Sequence, residues 1–333
     1  MAKAHHPVII AGNGIAGLTA AIYAGRANNQ PLVLKGDEPG GQLTLTNEVA
    51  NFPGFPEALS GPQLIGRMEE QAEKFGATLQ NGIVEDLERD EDGMFRAYIT
   101  NGDVYTSDAF IAASGASARW LGVEGEDAYM GDGVSTCATC DGAFFRGEDM
   151  VVVGGGDAAF EETDFLTKFA ETVYLVHRRE GFRAEDYWID RVQEHVDNGD
   201  VEILKNTEAT EILGDGDKVT GVSLVEHPDG HPTEKLDDPE YDVNQYNLDV
   251  GAVFYAIGHD PNTEYLQGID GVEIDEAGYL IAEGGRGSGQ TKTGVSGLFG
   301  AGDVLDFHYQ QAVTAAGIGC QAAMDADAYL SDE

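Results

Sequence analysis

Cysteine is scarce in this chain of 333 residues, which contains only three. So few thiols exclude a small scaffold held together by disulfides. Two of them, Cys137 and Cys140, form a Cys-x-x-Cys pair, and no second pair or His-x-x-His exists that would complete a four-ligand zinc site. In a chain of α/β character this spacing predicts a redox-active dithiol, and no metal site.

Positively charged residues are also few. Eight lysines and eleven arginines face 60 acidic residues, and the net charge is −41. A surface of this sign repels phosphate backbones, which excludes nucleic acid as a ligand. Molar salt shortens the Debye length to about 3 Å and screens the self-repulsion of such a chain. The acids are spread over the whole sequence, which favours adaptation to a high-salt cytoplasm over an acidic surface for a basic partner.

Long apolar runs are also scarce. Residues 7–25 carry no formal charge, but Asn13, Thr19 and four glycines interrupt them, and no other stretch approaches the roughly 20 residues that span a bilayer. We therefore expect a cytoplasmic protein without a membrane anchor. The length suits two domains, and the 45 glycines are about twice the average usage, which indicates many tight loops and close backbone approaches.

Two glycine-rich loops each follow a short strand pattern and precede a helical one. They are Gly12-Asn13-Gly14-Ile15-Ala16-Gly17 and Gly154-Gly155-Gly156-Asp157-Ala158-Ala159. Such loops let a pyrophosphate approach the backbone at a helix N-terminus. A single match is equally well explained by tight packing of a strand against a helix. Two matches, each with the appropriate helix and second strand, predict two dinucleotide sites.

A cluster of basic residues follows the strand after the second loop. The run His177-Arg178-Arg179-Glu180-Gly181-Phe182-Arg183 holds three of the eleven arginines. At this point of a nucleotide-binding unit, arginines accommodate a ribose 2′-phosphate, whereas an acid binds the free 2′-hydroxyl. A random basic patch is a weak explanation in a chain so poor in bases, so we predict NADPH. After the first loop the corresponding strand ends at Lys35, and the expected acid is missing.

The sequence near the C-terminus suits a flavin. Gly302-Asp303 follows a predicted strand over Val295–Phe299, and Gln311-Ala312 begin a predicted helix. A carboxylate at such a strand end can bind a flavin's ribityl chain, and the helix N-terminus can face its pyrimidine carbonyls. A Gly-Asp pair is also a common turn. Together with the first glycine loop, however, it predicts bound FAD.

Asp141 directly follows the second cysteine. In a Cys-x-x-Cys pair one thiolate attacks and the other resolves, and protons must be exchanged in both steps. Asp141 is therefore a candidate proton donor and acceptor for the dithiol. The alternative is a helix-capping role.

The repeated order of strand, glycine loop, helix and strand predicts an α/β fold with two Rossmann-like dinucleotide-binding domains, the second inserted into the first. Residues 1–118 and 249–333 are predicted to form a discontinuous FAD-binding domain. Residues 119–248 are predicted to form an NADPH-binding domain that carries Cys137 and Cys140. The acidic, proline-containing segment Glu226–Leu248 is predicted to be an exposed loop without chemistry.

Together these residues resemble the low-molecular-weight thioredoxin reductases over essentially the whole chain. Besides the motifs above, the resemblance is carried by Gly40-Gly41-Gln42-Leu43, Asn51-Phe52-Pro53-Gly54, Gly115-Ala116-Ser117-Ala118-Arg119, Ala256-Ile257-Gly258 and Gly302-Asp303 with Gln311-Ala312. It implies FAD in the first domain, NADPH in the inserted one, a homodimer, and thioredoxin as the disulfide substrate. It also implies that Cys140 faces the flavin and that Cys137 attacks the partner's disulfide.

A few positions depart from the family pattern. Asn13 replaces a usual Ser, Asp157 replaces a usual Asn beside the expected pyrophosphate, and Gln310 replaces a usual Arg. The last two changes are expected to weaken NADPH binding. Three alternative functions remain: a ferredoxin–NADP reductase-like flavoprotein, a thiol oxidase that passes electrons to oxygen, and a flavin-bound redox sensor without turnover. The first class usually lacks a Cys-x-x-Cys pair, and the second has no use of its own for the arginines.

Overall fold

The structure is a computed structural model that describes residues 4–46, 48–236, 238–283 and 289–332. Its strands are β1 (Ala4–Ala11), β2 (Leu32–Leu34), β3 (Thr78–Gln80), β4 (Val84–Arg89), β5 (Phe95–Ile99), β6 (Val104–Ala112), β7 (Ala116–Ala118), β8 (Val134–Ser135), β9 (Met150–Gly154), β10 (Val173–His177), β11 (Val201–Lys205), β12 (Thr207–Gly214), β13 (Val219–Glu226), β14 (Asn244–Leu248), β15 (Ala252–Ala256), β16 (His259–Pro261) and β17 (Leu298–Gly300). Its helices are α1 (Ile15–Arg26), α2 (Gly61–Lys74), α3 (Ala138–Asp141), α4 (Asp157–Leu166), α5 (Asp186–Asn198) and α6 (Ala312–Asp332). None of the helices in these ranges is long and apolar enough to cross a membrane.

The chain divides into two compact units. The first joins Met1–Ser117 to Asp260–Glu333, and the second is the intervening Ala118–His259. The predicted fold class, two Rossmann-like α/β domains with one inserted into the other, is confirmed. The second unit ends at His259, not at residue 248, because β15 pairs in parallel with β9 and so belongs to the second unit's sheet.

The first unit is built on a seven-stranded sheet in the order β3-β2-β1-β6-β5-β4, with β17 also paired to β6. Strands β1, β2, β3, β6 and β17 are parallel to one another, whereas β4 and β5 are antiparallel to their neighbours. The apolar residues of Val8–Ala11 are fully buried, as expected for a parallel strand covered on both faces. Because the carboxyl ends of β1, β6 and β17 lie at one edge, the loops that follow them meet there.

Three helices pack on one face of this sheet. Val8 and Ile10 of β1 belong to a buried apolar cluster that also contains residues of α1, α2 and α6. Helices α1 and α6 approach each other closely, since a Cβ on Gly319 would lie 2.1 Å from the carbonyl oxygen of Ala16. A Cβ on Gly302 would lie 2.7 Å from the Ala16 side chain. The loop after β17 is therefore packed directly against α1, which starts in the first glycine loop.

The second unit contains a five-stranded parallel sheet in the order β11-β10-β9-β15-β8 and a three-stranded antiparallel sheet, β12-β13-β14. Strands β7 and β16 form a separate two-stranded sheet. In the parallel sheet the carboxyl ends of β8, β9 and β10 lie at the same edge. That edge carries the cysteine pair after β8, the second glycine loop after β9 and the arginine run after β10.

Two predicted elements differ from the structure. The predicted strand Val295–Phe299 is wrong at its start, because Leu298 N–H donates to the Val295 carbonyl in a turn around Gly297, whose φ is +83°, and β17 begins only at Leu298. The loop predicted over Glu226–Leu248 is wrong at its end, because β14 pairs with β13 there. Residue 237 of that segment lies outside the described residues.

Candidate nucleotide sites and dithiol centre

The three glycines of the first loop have two different roles. Gly12 has φ +107°, and a Cβ there would lie 2.2 Å from the Ala113 carbonyl oxygen. A Cβ on Gly17 would lie 1.9 Å from the Gly12 carbonyl oxygen, so these two glycines are required by the packing of β1, β6 and α1. Gly14 is different, because the nearest atom to a Cβ there is 3.9 Å away. That open space before α1 is where a pyrophosphate can approach the backbone.

Asn13 points into the protein. It is 1% exposed, its Oδ1 accepts the Gly40 N–H at 2.7 Å, and its Nδ2 donates to Glu69 Oε1 at 2.8 Å. Lys35 Nζ contacts the same Glu69 oxygen at 2.6 Å. A carboxylate thus reaches Lys35, at the end of β2, from α2, 34 residues further along the chain. The role of Glu69 was not predicted from the sequence. The only sign of it is a charged residue close to the buried Met68 and Ala72 in α2, which is a weak indication of a buried contact.

The other predicted flavin-site residues of the first unit lie on loops around the same edge. Gln42 Nε2 donates to the Ala116 carbonyl, which ties the loop after β2 to the chain just beyond Gly115. Gly115 has φ +70°, a left-handed conformation that favours glycine. Asn51 Nδ2 donates to Gln311 Oε1 at 3.5 Å, and α6 starts at the next residue, Ala312. Gly41, with φ +66°, lies beside the first glycine loop, since a Cβ there would be 3.6 Å from the Gly14 Cα.

Asp303 gives a test of whether a flavin nucleotide fits. Its Oδ1 is sealed from solvent and has no hydrogen-bond partner among the described residues. Burial raises the pKa of Asp303 to about 7, and the charge of Asp306 acts in the same direction. A buried acceptor without a donor is costly to keep in a protein interior. A ligand hydroxyl at this position would satisfy it, so the residues present fit the polyol chain of a flavin.

The second glycine loop repeats this division of roles. A Cβ on Gly154 would lie 2.4 Å from the Ala256 carbonyl oxygen, and a Cβ on Gly155 would lie 2.2 Å from the His177 ring. A Cβ on Gly156 would have no neighbour within 4 Å. The open position again lies immediately before a helix, α4, where Asp157 and Ala158 are exposed. Asp157 Oδ1 accepts the Glu185 N–H at 2.7 Å, so one oxygen of this carboxylate already has a hydrogen-bond donor within the protein.

His177 and the arginines after it occupy different environments. His177 is 8% exposed and lies against Gly155, with Nε2 3.0 Å from the Gly181 carbonyl. Burial lowers its pKa, although two backbone carbonyls oppose this effect. Arg178, Arg179 and Arg183 are exposed, and none of them has an ion-pair partner in the described part of the chain. Exposed cations without an ion-pair partner among the described residues are available to an anion, while His177 packs against Gly155.

Cys137 and Cys140 are disulfide-bonded, with their Cα atoms 5.3 Å apart. Both are half-buried; Cys137 immediately precedes the four-residue helix α3, and Cys140 lies within it. The Cys140 N–H donates to Cys137 Sγ at 3.2 Å. A backbone donor aimed at this sulfur stabilises a thiolate there after reduction. Within the described ranges no group of three or more His, Cys, Asp or Glu could hold a metal ion.

Asp141 is linked to the cysteine pair through Ser135. The Ser135 hydroxyl donates to Asp141 Oδ2 at 2.6 Å, and its oxygen accepts the Cys137 N–H at 3.0 Å. Burial raises the pKa of Asp141, and the hydrogen bond from Ser135 only partly counteracts this. The carboxyl group is thus positioned next to the dithiol and holds a proton more readily than an exposed aspartate.

A second carboxyl group beside the dithiol was not predicted from the sequence. Glu162 on α4 accepts the N–H of Ala138, the residue after Cys137, and its Oε2 is sealed from solvent without a partner among the described residues. Burial raises the pKa of Glu162 to about 8, and the charge of Glu161 adds to the effect. Its position three residues after the buried Ala159 put it on the apolar face of α4, which is the signal that could have identified it.

Comparison with known proteins identifies the family of this chain. Residues 6–319 match the family of pyridine nucleotide-disulphide oxidoreductases. The chain is 46% identical over 328 residues to a thioredoxin reductase of Mycolicibacterium smegmatis, covering 98% of this chain and 97% of that protein. It is also 46% identical over 328 residues to a Pseudomonas fluorescens protein named glucosaminate ammonia-lyase, covering 98% and 96%. Among solved structures, thioredoxin reductase from Giardia duodenalis superposes with a TM-score of 0.86 at 39% identity, covering 99% of this chain and all of that one.

Proposed function

We propose a residue-by-residue route for the reaction of this chain, which belongs to the pyridine nucleotide-disulphide oxidoreductase family and is a low-molecular-weight thioredoxin reductase. It is an NADPH-dependent flavoprotein that reduces a protein disulfide, and its cofactor is FAD. We do not propose a lyase activity for this chain, although one relative is named a lyase, because elimination of ammonia makes no use of the Cys137–Cys140 disulfide.

The first unit holds the FAD in this proposal. FAD, when bound, accepts a hydride from NADPH and passes the electron pair to the disulfide. The open backbone at Gly14 approaches the pyrophosphate, and Asp303 accepts a hydrogen bond from the polyol chain. Gln311 and Ala312 present the start of α6 to the ring system. The unsatisfied Oδ1 of Asp303 is the observation that most directly supports this assignment.

The second unit binds NADPH. Gly156 and the start of α4 approach the pyrophosphate, and Arg178, Arg179 and Arg183 bind the 2′-phosphate. Guanidinium groups form paired hydrogen bonds with phosphate and keep their charge at any physiological pH. The assignment is supported by the absence of carboxylate partners for these three arginines in the described part of a chain with 60 acidic residues. His177 lies buried against Gly155, and burial lowers its pKa.

Cys137 and Cys140 transfer the electron pair to thioredoxin. The Cys137 thiolate attacks one sulfur of the thioredoxin disulfide, which forms a mixed disulfide and releases the other sulfur as a thiolate. The Cys140 thiolate then attacks Cys137 Sγ, which restores the Cys137–Cys140 disulfide and releases the second thioredoxin sulfur. Asp141 donates and accepts the protons that accompany these steps. The observation that supports Cys137 as the attacking sulfur is the hydrogen bond from the Cys140 N–H to Cys137 Sγ, because this donor stabilises a thiolate there.

A trapping experiment tests these roles. Reduced Cys140→Ser protein is mixed with a thioredoxin that keeps only one of its two active-site cysteines, activated as a thionitrobenzoate disulfide, and covalent adducts are resolved on a non-reducing gel. Cys137 attacks the thioredoxin sulfur and thionitrobenzoate leaves. The expected result is an adduct that dithiothreitol cleaves, because neither protein then has a second sulfur that resolves the mixed disulfide. Cys137→Ser is the matched control and should form no adduct. Both variants should lose thioredoxin turnover while still reducing ferricyanide with NADPH.

The opposite pattern, with the adduct formed only by Cys137→Ser, would reverse the roles of the two sulfurs. If neither variant forms an adduct, the proposal that the dithiol reacts with thioredoxin is wrong. The ferricyanide assay shows that each variant is folded and loaded with flavin, so neither outcome can be attributed to misfolding.

Two further features belong to the proposal. We propose that the enzyme is a homodimer, as the family resemblance implies. The neighbouring helices α1 and α6 support this, since they expose Tyr23, Val313 and Met324 at 42%, 47% and 61%. We also place it in a cytoplasm of high ionic strength, where the net charge of −41 is screened.

A further inference from the structure

The segment after β13, predicted to be a loop without chemistry, lies against the end of β10. We refer to residues 227–236 as the 227–236 loop. Its His227 N–H donates to the Asn206 carbonyl at 3.2 Å, and its His231 N–H donates to the Arg178 carbonyl at 2.8 Å. A Cβ on Gly230 would lie 2.9 Å from the same Arg178 oxygen. The backbone of the loop is therefore fixed directly beside the arginines assigned to the 2′-phosphate.

His231 touches one of these arginines. Arg179 Nε donates to His231 Nε2 at 3.1 Å. Since the guanidinium is always protonated, the imidazole must be the acceptor, and its proton is then carried by Nδ1. His231 Nδ1 lies 3.6 Å from Glu234 Oε1, which is compatible with this tautomer. His231 therefore takes the Nε donor of Arg179 and leaves both terminal nitrogens of the guanidinium for a ligand.

The backbone at His231 is in an uncommon conformation, with φ +47°. A left-handed conformation is uncommon for a residue other than glycine, although histidine adopts it more often than most, and contacts with the surrounding structure maintain it. Here Lys235 Nζ donates to the Gly230 and His231 carbonyls, and the Thr233 hydroxyl donates to Glu208 Oε2 at 2.7 Å. These contacts hold the ring against Arg179.

A histidine suits this position better than a carboxylate. Glu or Asp at this point would orient the guanidinium equally well, but it would neutralise the charge and compete with a phosphate for it. A neutral imidazole orients the side chain without adding a competing anion. This matters in a chain where acids outnumber bases 60 to 19.

We infer that His231 is a positioning residue for NADPH: it holds the Arg179 guanidinium in the orientation that binds the ribose 2′-phosphate, and so contributes to the discrimination between NADPH and NADH. This inference rests on the proposed function, in which Arg178, Arg179 and Arg183 form the 2′-phosphate site. The 227–236 loop is thereby part of the coenzyme site.

Binding of nucleotide fragments tests the inference. Isothermal titration of the FAD-loaded protein is carried out with adenosine 2′,5′-bisphosphate and with 5′-AMP, which differ only by the 2′-phosphate. Loss of a pre-ordered side chain weakens binding by about three- to tenfold. His231→Ala should lose that much affinity for the bisphosphate and stay within about twofold for 5′-AMP. His231→Gln, whose amide oxygen can accept from Arg179 Nε, should recover most of the loss.

A comparison variant separates orientation of Arg179 from loosening of the loop. Thr233→Val removes the hydrogen bond of the Thr233 hydroxyl to Glu208, keeps that of the Thr233 N–H, and leaves the contact with Arg179 intact. It should keep the wild-type preference for the bisphosphate. If Thr233→Val and His231→Ala lose the preference equally, or if His231→Ala binds both nucleotides as the wild type does, the inference is wrong.

The proposed function fails in a different way. If Arg178→Ala and Arg179→Ala leave the preference for the bisphosphate unchanged, the 2′-phosphate site itself is misassigned. If those two variants lose the preference and His231→Ala does not, the site stands and only the role of His231 is refuted.

Discussion

The buried carboxyl group of Glu162 makes the stability of the protein depend on pH in a way that one substitution should remove. Glu162→Gln keeps the size of the side chain and an oxygen that can accept the Ala138 N–H. It loses only the ability to ionise. The unpartnered Oε2 and the raised pKa of about 8 both indicate that the charged form is disfavoured in the folded protein.

The sign follows from proton linkage. In the unfolded chain Glu162 ionises around its ordinary pKa of 4.5, whereas in the folded protein it keeps its proton up to about pH 8. Between these values the folded state binds more protons, so the stability of the wild type falls as the pH rises, and the fall ends above pH 8. At 1.36 kcal/mol per pKa unit, the difference between a pKa of 4.5 and one of about 8 corresponds to a loss of at most about 5 kcal/mol in the free energy of unfolding.

Local relaxation and water entry reduce that upper limit, since Glu162 as a whole residue is only half-buried. We expect the stability of Glu162→Gln relative to the wild type to increase by about 2 kcal/mol between pH 5 and pH 8. At roughly 2 to 4 °C per kcal/mol, the difference in melting temperature should grow by about 4 to 8 °C over the same range.

Thermal melts of FAD-loaded wild type and variant, at constant molar KCl from pH 5 to pH 9, measure this difference. Other titrating groups, such as Asp303 and Asp141, are common to both proteins and cancel. Glu194→Gln on the exposed face of α5 removes the same charge and should show no growing difference. A gap between wild type and Glu162→Gln that stays constant from pH 5 to pH 8 would refute the assignment of Glu162 as a buried, protonated acid.

Two other predictions concern the arginines and the charge of the protein. Replacing both Arg178 and Arg179 with Ala should raise the KM for NADPH by about tenfold or more in dilute buffer, because charge-assisted hydrogen bonds contribute roughly 1.5–3 kcal/mol each. Molar salt should reduce this increase in KM, because it screens the charges. The KM for NADH should stay nearly constant, and an equal rise for both coenzymes would contradict a 2′-phosphate site. The melting temperature of the wild type should increase from dilute buffer to molar KCl, since screening relieves the repulsion of a net charge of −41, and a flat or falling series would contradict salt adaptation.

Much of the chemistry could be predicted from the sequence because it is carried by short, contiguous runs. A glycine loop between a strand and a helix has the same local geometry wherever it occurs, and the spacing of Cys137 and Cys140 permits a disulfide within one turn of chain. The arginine run stands out against the acidic composition. These features fixed two nucleotide-binding units, the dithiol and the coenzyme class without knowledge of the packing.

The residues that the sequence did not reveal act through contacts between distant segments. Glu69 meets Asn13 across 56 residues, and His231 meets Arg179 across 52. Glu162 reaches the dithiol only because α4 packs beside α3. Periodicity and motif spacing are properties of one segment, so they specify which strand, loop or helix forms. Which side chain of another segment then lies within hydrogen-bond distance, and whether its charge is desolvated there, is decided by the packing of the elements in three dimensions.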